Sequence, residues 1–212
     1  MKFMLLTLLL ATANSGDIEV KKNLNETVLY DDIVYQATNN CPTVKSDKVN
    51  PGLLWELIEV EKEFDVPESL KGMVLSAACL ESGYNPNAKG DRKFSKDKKT
   101  PKAIGLFQMW KMYERVYKTD RTNPRSSALG WMTHITKLIP KIKRECKYRT
   151  DERIWVAAWV TGIRYPKPSG RCKEKPKHYK LLKKWHRNIK KTRKKERKEY
   201  LNFSTNSEGY GC

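Results

Sequence analysis

Leu70, Met73, Val74, Ala77 and Ala78 recur at steps of three and four residues, and Glu81 continues the same stripe before Gly83. This periodicity predicts a helix with one buried face. Asp65, Pro67 and Glu68 carry helix-start chemistry, and Gly83 is placed to stop the helix in a left-handed C-terminal cap. The stripe is restrictive because its last member is an acid. A carboxylate on the buried side of a helix is costly unless it is paired, hydrogen-bonded or protonated, and partial desolvation favours the neutral form that a general acid needs. Glu81 is therefore the candidate proton donor, and the chain is expected to build a cleft beside it.

Three stretches carry further signal. Glu81-Ser82 is followed by Gly83-Tyr84-Asn85-Pro86-Asn87-Ala88. Ala103-Ile104-Gly105-Leu106-Phe107-Gln108 comes next, and then Trp155-Val156-Ala157-Ala158-Trp159-Val160-Thr161-Gly162. In this order they resemble the three motifs of the soluble lytic transglycosylase family, which shares the lysozyme-like fold with goose-type lysozymes. The resemblance spans residues 50–190. It implies that Glu81 is the sole catalytic acid, that Ser82 helps to hold the substrate, and that Gln108 hydrogen-bonds a sugar. Phe107 stands where the family has Met and keeps an apolar wall. The third motif departs further, with Trp159 in place of Tyr and Val160 in place of Asn. In the family the Tyr hydroxyl lies beside the catalytic Glu, whereas an indole offers a donor and no acceptor.

The expected fold class is mainly α: a lysozyme-like helical domain with an irregular N-terminal extension and a basic C-terminal helix. Residues 1–13 read as a secretory signal, with Lys2, a short apolar core and Ala11-Thr12-Ala13 as a cleavage site. Residues 14–50 read as the extension, with an extended piece at 27–35. Residues 51–190 form the domain and 191–212 a basic, polar tail. Within the domain, helices are expected over residues 52–64, 105–117 and 126–147. The last of these has Leu129, Met132, Ile135, Ile139 and Ile142 inside and a kink or break at Pro140. A further helix is expected from an Asp151 cap to Gly162. Residues 89–102 form a charged insertion holding Asp91 and Asp97, the candidates for a second carboxylate. Trp159, on the third-motif helix, and Tyr165, in the turn-rich connector after it, are candidates for lining the sugar site, since aromatic faces stack on sugars.

The five cysteines include no C-x-x-C pair, so zinc has no support and no metal or cofactor is implied. An exported chain can form disulfides. Cys41 is placed to tie the extension down, Cys146 and Cys172 flank the third-motif helix, and Cys79 reads as a small buried residue. The odd count leaves at least one thiol free in the monomer or pairs it between chains, with Cys212 the natural suspect. The net charge is +19, and residues 171–199 alone hold 15 basic against 3 acidic residues. His178, Leu181, Leu182, Trp185 and Ile189 share one helical face amid that charge, which predicts an amphipathic helix docked at its start and solvated from Lys190. Such a run attracts polyanions. With export, the expected partner is the glycan strand of peptidoglycan, helped by an anionic wall or membrane surface, rather than nucleic acid, and the expected location is secreted or periplasmic.

The activity expected from these features is cleavage between N-acetylmuramic acid and N-acetylglucosamine with a 1,6-anhydro product. Two alternatives remain: a goose-type hydrolase using Asp91 or Asp97 to hold water, and a non-catalytic protein that binds the wall or another polyanion.

Overall fold

The computed structural model describes residues 26–147, 150–163 and 177–207, and for residues 160–163 and 200–207 it describes the backbone only. The fold is mainly α, as expected, with one small sheet. The expected signal segment lies outside the described residues. Among the described residues no helix is long and apolar enough to cross a membrane.

The first element corrects the sequence reading. Residues 26–39 are helical (α1), neither extended nor an irregular extension. The β-branched and aromatic residues of 27–35 suggest a strand, but Tyr30, Ile33, Val34 and Ala37 lie at helical steps and all four are buried in the core. Packing of that face outweighs local preference.

Helix α2 (Pro51–Lys62) starts at Asn50, whose side chain accepts the Gly52 amide at 2.9 Å, with Pro51 in the first turn. Helix α3 (Met73–Ser82) starts later than Pro67 suggests. A 3-10 turn (Glu68–Leu70) comes first, and Gly72, at φ +86°, then sets the helix direction. A Cβ on Gly72 would lie 2.5 Å from the Ile33 side chain, so only glycine lets α1 pack over this turn.

The region expected to be a helix over 105–117 is mostly sheet and turn. Strands β1 (Lys89–Gly90), β2 (Ala103–Ile104) and β3 (Met109–Trp110) form an antiparallel sheet in that order, with Lys89 opposite Ile104 and Ala103 opposite Trp110. Only α4 (Met112–Tyr117) is helical. Arg121 explains the difference: its guanidinium donates to the carbonyls of Met109 at 2.9 Å and Lys102 at 3.2 Å and pairs with Glu114 at 2.7 Å, which holds the hairpin closed. Gly105 turns the chain at φ +83°, where a Cβ would lie 1.9 Å from the Arg121 carbonyl oxygen.

Helix α5 (Pro124–Cys146) is capped by Asn123, which accepts the Ser126 amide at 2.8 Å, and it runs through Pro140 without ending. Met132, Ile135 and Ile142 are inside, but Leu129 is exposed. Helix α6 (Asp151–Ile163) begins after Thr150, whose hydroxyl lies 3.4 Å from the Arg153 amide, so Thr150 stands at the cap position expected for Asp151. Helix α7 (Lys177–Ser207) follows the amphipathic expectation. His178, Leu181, Leu182, Trp185 and Ile189 are buried, and residues 190–199 are all exposed.

The core lies where α5 packs on α2 and α6, and α3 packs on α2 and α7. A disulfide joins Cys41 to Cys79, so Cys79 is a structural link rather than a merely small residue. It fixes the segment after α1 to the middle of α3. Cys146 is disulfide-bonded as well, and its expected partner Cys172 lies outside the described residues.

Candidate active site

Glu81 sits in the last turn of α3, where Gly83 (φ +61°) reverses the chain and donates its amide to the Cys79 carbonyl at 2.9 Å. The next residue, Tyr84, is also left-handed at φ +61°. That conformation is uncommon for a bulky residue, and burial of the Tyr84 ring holds it there. The reversal sends the chain back along the sheet, so the end of α3 faces β1 and the hairpin turn.

Between them lies a cleft of about 370 Å³. Glu81 and Ala77 form the α3 wall, Gly90, Asp91 and Gln108 the sheet wall, and Trp110, Tyr113 and Trp131 supply aromatic surface. Three of the sequence candidates, Glu81, Asp91 and Gln108, thus meet in one place.

Each of the three is held differently. Oε1 of Glu81 lies 2.8 Å from Nε2 of His178, on α7. His178 is buried, and the Glu81 side chain is 27% exposed, so the acid bridges core and solvent. Asp91 is left-handed at φ +56°, and its Oδ2 accepts the Trp110 indole N–H at 2.9 Å. The Gln108 amide nitrogen donates to the carbonyls of Gly105 at 2.9 Å and Ala88 at 3.3 Å, which leaves its oxygen as the open polar end. That oxygen packs over Gly90, where a Cβ would come within 2.2 Å of it.

The remaining candidates separate from the cleft. The Ser82 hydroxyl donates to the Ala78 carbonyl at 3.0 Å, one turn back along α3, and so serves the helix end. Asp97 organises its own loop: it accepts from Ser95, from the Thr100 hydroxyl and from the amides of Lys99 and Thr100. The Thr100 bonds lead this set in holding its carboxyl well below the usual range. Trp159 is fully buried and exposes no face to a sugar. Its ring packs edge-on against Trp131 at 6.0 Å and lies 5.8 Å from the His178 ring, so it stands behind the cleft wall. The inward side of α6 is apolar throughout residues 154–159, and an indole there fills core volume. Tyr165 lies outside the described residues.

Two residues that matter here were not singled out from sequence as site residues. His178 reads as one more member of the α7 apolar face, and nothing local links it to a carboxylate 97 positions earlier. Its placement comes from Glu152 on α6, which accepts from the Tyr179 hydroxyl at 2.6 Å and from Ser69 at 2.8 Å, with Lys183 at 3.4 Å. Burial opposes the charge on Glu152, but these partners outweigh it and lower its pKa. The other is Glu61. It is completely buried and accepts the amides of Gly72 at 2.6 Å and Val74 at 2.9 Å, at the opposite end of α3 from Glu81.

Among the described residues no group of three or more His, Cys, Asp or Glu side chains gathers as a metal site would require. Chemically, the cleft offers one accessible carboxyl with a histidine behind it, a second carboxyl on the facing wall, an amide oxygen and aromatic surface. Comparison with protein-family models, curated proteins and solved structures finds no match to this chain.

Proposed function

We propose that the chain is a peptidoglycan-cleaving glycosidase of the lytic transglycosylase type, acting on the bond between N-acetylmuramic acid and N-acetylglucosamine. The observation that carries the reading is the position of Glu81. It lies on the wall of an aromatic-lined cleft, with one carboxylate oxygen beside His178 and the other without a partner among the described residues. A single acid presented in this way can protonate the glycosidic oxygen as the bond to C1 of the muramic sugar breaks. Glu81, now a carboxylate, then takes the proton of the 6-hydroxyl as that oxygen closes onto C1. The 1,6-anhydro ring forms and no water is consumed. The half-buried Trp110, with Phe94 5.9 Å away at the rim, offers the flat apolar surface on which sugar rings stack. The Gln108 oxygen is the acceptor available for a sugar hydroxyl or amide.

Asp91 favours a second reading. It shares the cleft with Glu81, so a water held by its carboxylate on the far side of the sugar would give hydrolysis in the manner of a goose-type lysozyme. The exposed basic half of α7 would serve either chemistry by drawing the protein to an anionic wall, after export through the signal read in residues 1–13.

The test is mass spectrometry of the material released from purified peptidoglycan by the mature chain and by Glu81→Gln. Anhydro-muropeptides from the wild type alone support the transglycosylase. Reducing ends that disappear with Asp91→Asn support the hydrolase. Absence of product from a folded protein that still pellets with the wall rejects catalysis and leaves a wall-binding protein.

A further inference from the structure

We infer that His178 is the positioning residue for Glu81, a neutral hydrogen-bond donor that fixes one carboxylate oxygen so that the other is presented to the substrate. The inference rests on the glycosidase reading of the same cleft.

Three observations carry it. The first is contact: Nε2 of His178 lies 2.8 Å from Oε1 of Glu81, and no other hydrogen-bond or ion-pair partner of Glu81 exists among the described residues. A glutamate at a helix end has three side-chain rotors, and an exposed one samples many arrangements. One bond to a buried group removes most of that freedom.

The second is the proton. Nδ1 of His178 is buried and has no hydrogen-bond partner among the described residues. A ring proton placed there would be stranded, which carries the full cost of an unmade buried bond. The tautomer that fits has its proton on Nε2, directed at Glu81. In this state the imidazole donates without carrying charge. The distinction matters because a neutral donor fixes the carboxyl oxygen by a hydrogen bond alone, without placing a full positive charge 2.8 Å from it.

The third is the mounting of the ring. The Trp159 ring is 5.8 Å from the imidazole and tilted by 34°, and Trp131, which lines the cleft, meets Trp159 edge-on at 89°. On the other side Tyr179, adjacent in sequence, is tied to Glu152, while Leu182 and Trp185 are fully buried. The imidazole therefore has little room to turn away from Glu81. Helix α7 supplies a working part of the site in addition to basic charge.

The experiment compares wild type, His178→Phe and His178→Gln on purified peptidoglycan, with thermal melts of each. Phenylalanine keeps the packing and removes the donor, and the glutamine amide restores a neutral donor at similar reach. The expected result is a kcat for His178→Phe lower by on the order of 10- to 100-fold with KM little changed, and recovery of most of that loss in His178→Gln. Equal kcat in wild type and His178→Phe overturns the inference. Should His178→Phe fail to fold, imidazole 15N spectra of the wild type and of Glu81→Gln decide the matter. A proton on Nε2 whose resonance moves in Glu81→Gln is expected. A proton on Nδ1, or no response to Glu81→Gln, overturns the assignment. A wild type that releases no product rejects the glycosidase reading and the catalytic role with it, while the spectra still report whether the pair exists.

Discussion

The Glu61 carboxylate on α2 accepts the Gly72 amide at 2.6 Å, capping from within the core the helix that carries Glu81 in its last turn. The same oxygen accepts from the Tyr30 hydroxyl of α1 at 3.3 Å, and the other accepts the Val74 amide at 2.9 Å. One buried acid thus joins α1, α2 and the start of α3. Burial pushes its pKa from 4.5 up to about 7, although the amides of Val74 and Gly72 and the Tyr30 hydroxyl pull the other way. Between those values the folded chain holds a proton that the unfolded chain has released. The stability linked to Glu61 is therefore greatest below pH 4.5, falls as pH rises through the window, and is lost above about pH 7, a swing on the order of 3 kcal/mol. The urea midpoint of the wild type should decline between pH 5 and pH 7.5, and Glu61→Gln should flatten that decline. Glu61→Ala, which strands two buried amides, should cost roughly 2–6 kcal/mol below pH 4.5 and less as pH rises through the window.

The Cys41–Cys79 bond closes a loop with a sequence separation of 38 and ends two residues before Glu81. Constraint of the unfolded chain by a loop of that length contributes about 4 kcal/mol. Reduction should lower the melting temperature, and Cys41→Ser, Cys79→Ser and the double variant should all melt at nearly the same temperature, because each removes the same link. Costs that add up in the double variant would show that the cysteines act separately.

Gly90→Ala should impair the cleft without unfolding the domain. The new methyl would meet the Gln108 oxygen at 2.2 Å and push that side chain off the carbonyls of Gly105 and Ala88. Product release should fall by on the order of 10- to 100-fold, with a melting temperature close to wild type. Gly105→Ala should do the opposite and report mainly on stability, because its Cβ would collide with the backbone carbonyl of Arg121 at a left-handed position. Unchanged product release by Gly90→Ala would remove Gln108 from the site.

Truncation after Ile189 separates the two halves of α7. The retained half keeps His178, Leu182 and Trp185 in the core, and the lost half begins with exposed residues 190–199, which hold 7 basic and 2 acidic side chains. Co-sedimentation with peptidoglycan should weaken and become less sensitive to salt, while the melting temperature and the turnover of soluble glycan fragments change little. A cut placed before Lys177 should instead unfold the domain. Wall binding at wild-type strength after the Ile189 cut would show that the basic half is not the contact.

The sequence by itself determined the elements whose signal is local. The stripe from Leu70 to Glu81 and its stop at Gly83, the helical run of α5 with Met132, Ile135 and Ile142 inside, and the apolar face of α7 from His178 to Ile189 all follow from side-chain spacing and cap chemistry within one segment. The convergence of Glu81 and Gln108 was legible to the extent that their motifs were, whereas Asp91 stood in a charged insertion with no motif around it. What only the tertiary structure decided depends on distant partners. Residues 26–39 have strand-like composition, and burial of Tyr30, Ile33, Val34 and Ala37 in the core makes them helical. Residues 103–110 close as a hairpin because Arg121 takes the Met109 carbonyl, which a helix would have used internally, together with that of Lys102. Trp159 lies behind the cleft because α6 packs that face against α5. His178 reaches Glu81, and Glu61 reaches Gly72, across α-helical contacts that no sequence periodicity encodes. Spacing along a chain specifies which face a residue occupies, and only the packing of faces specifies what that residue meets.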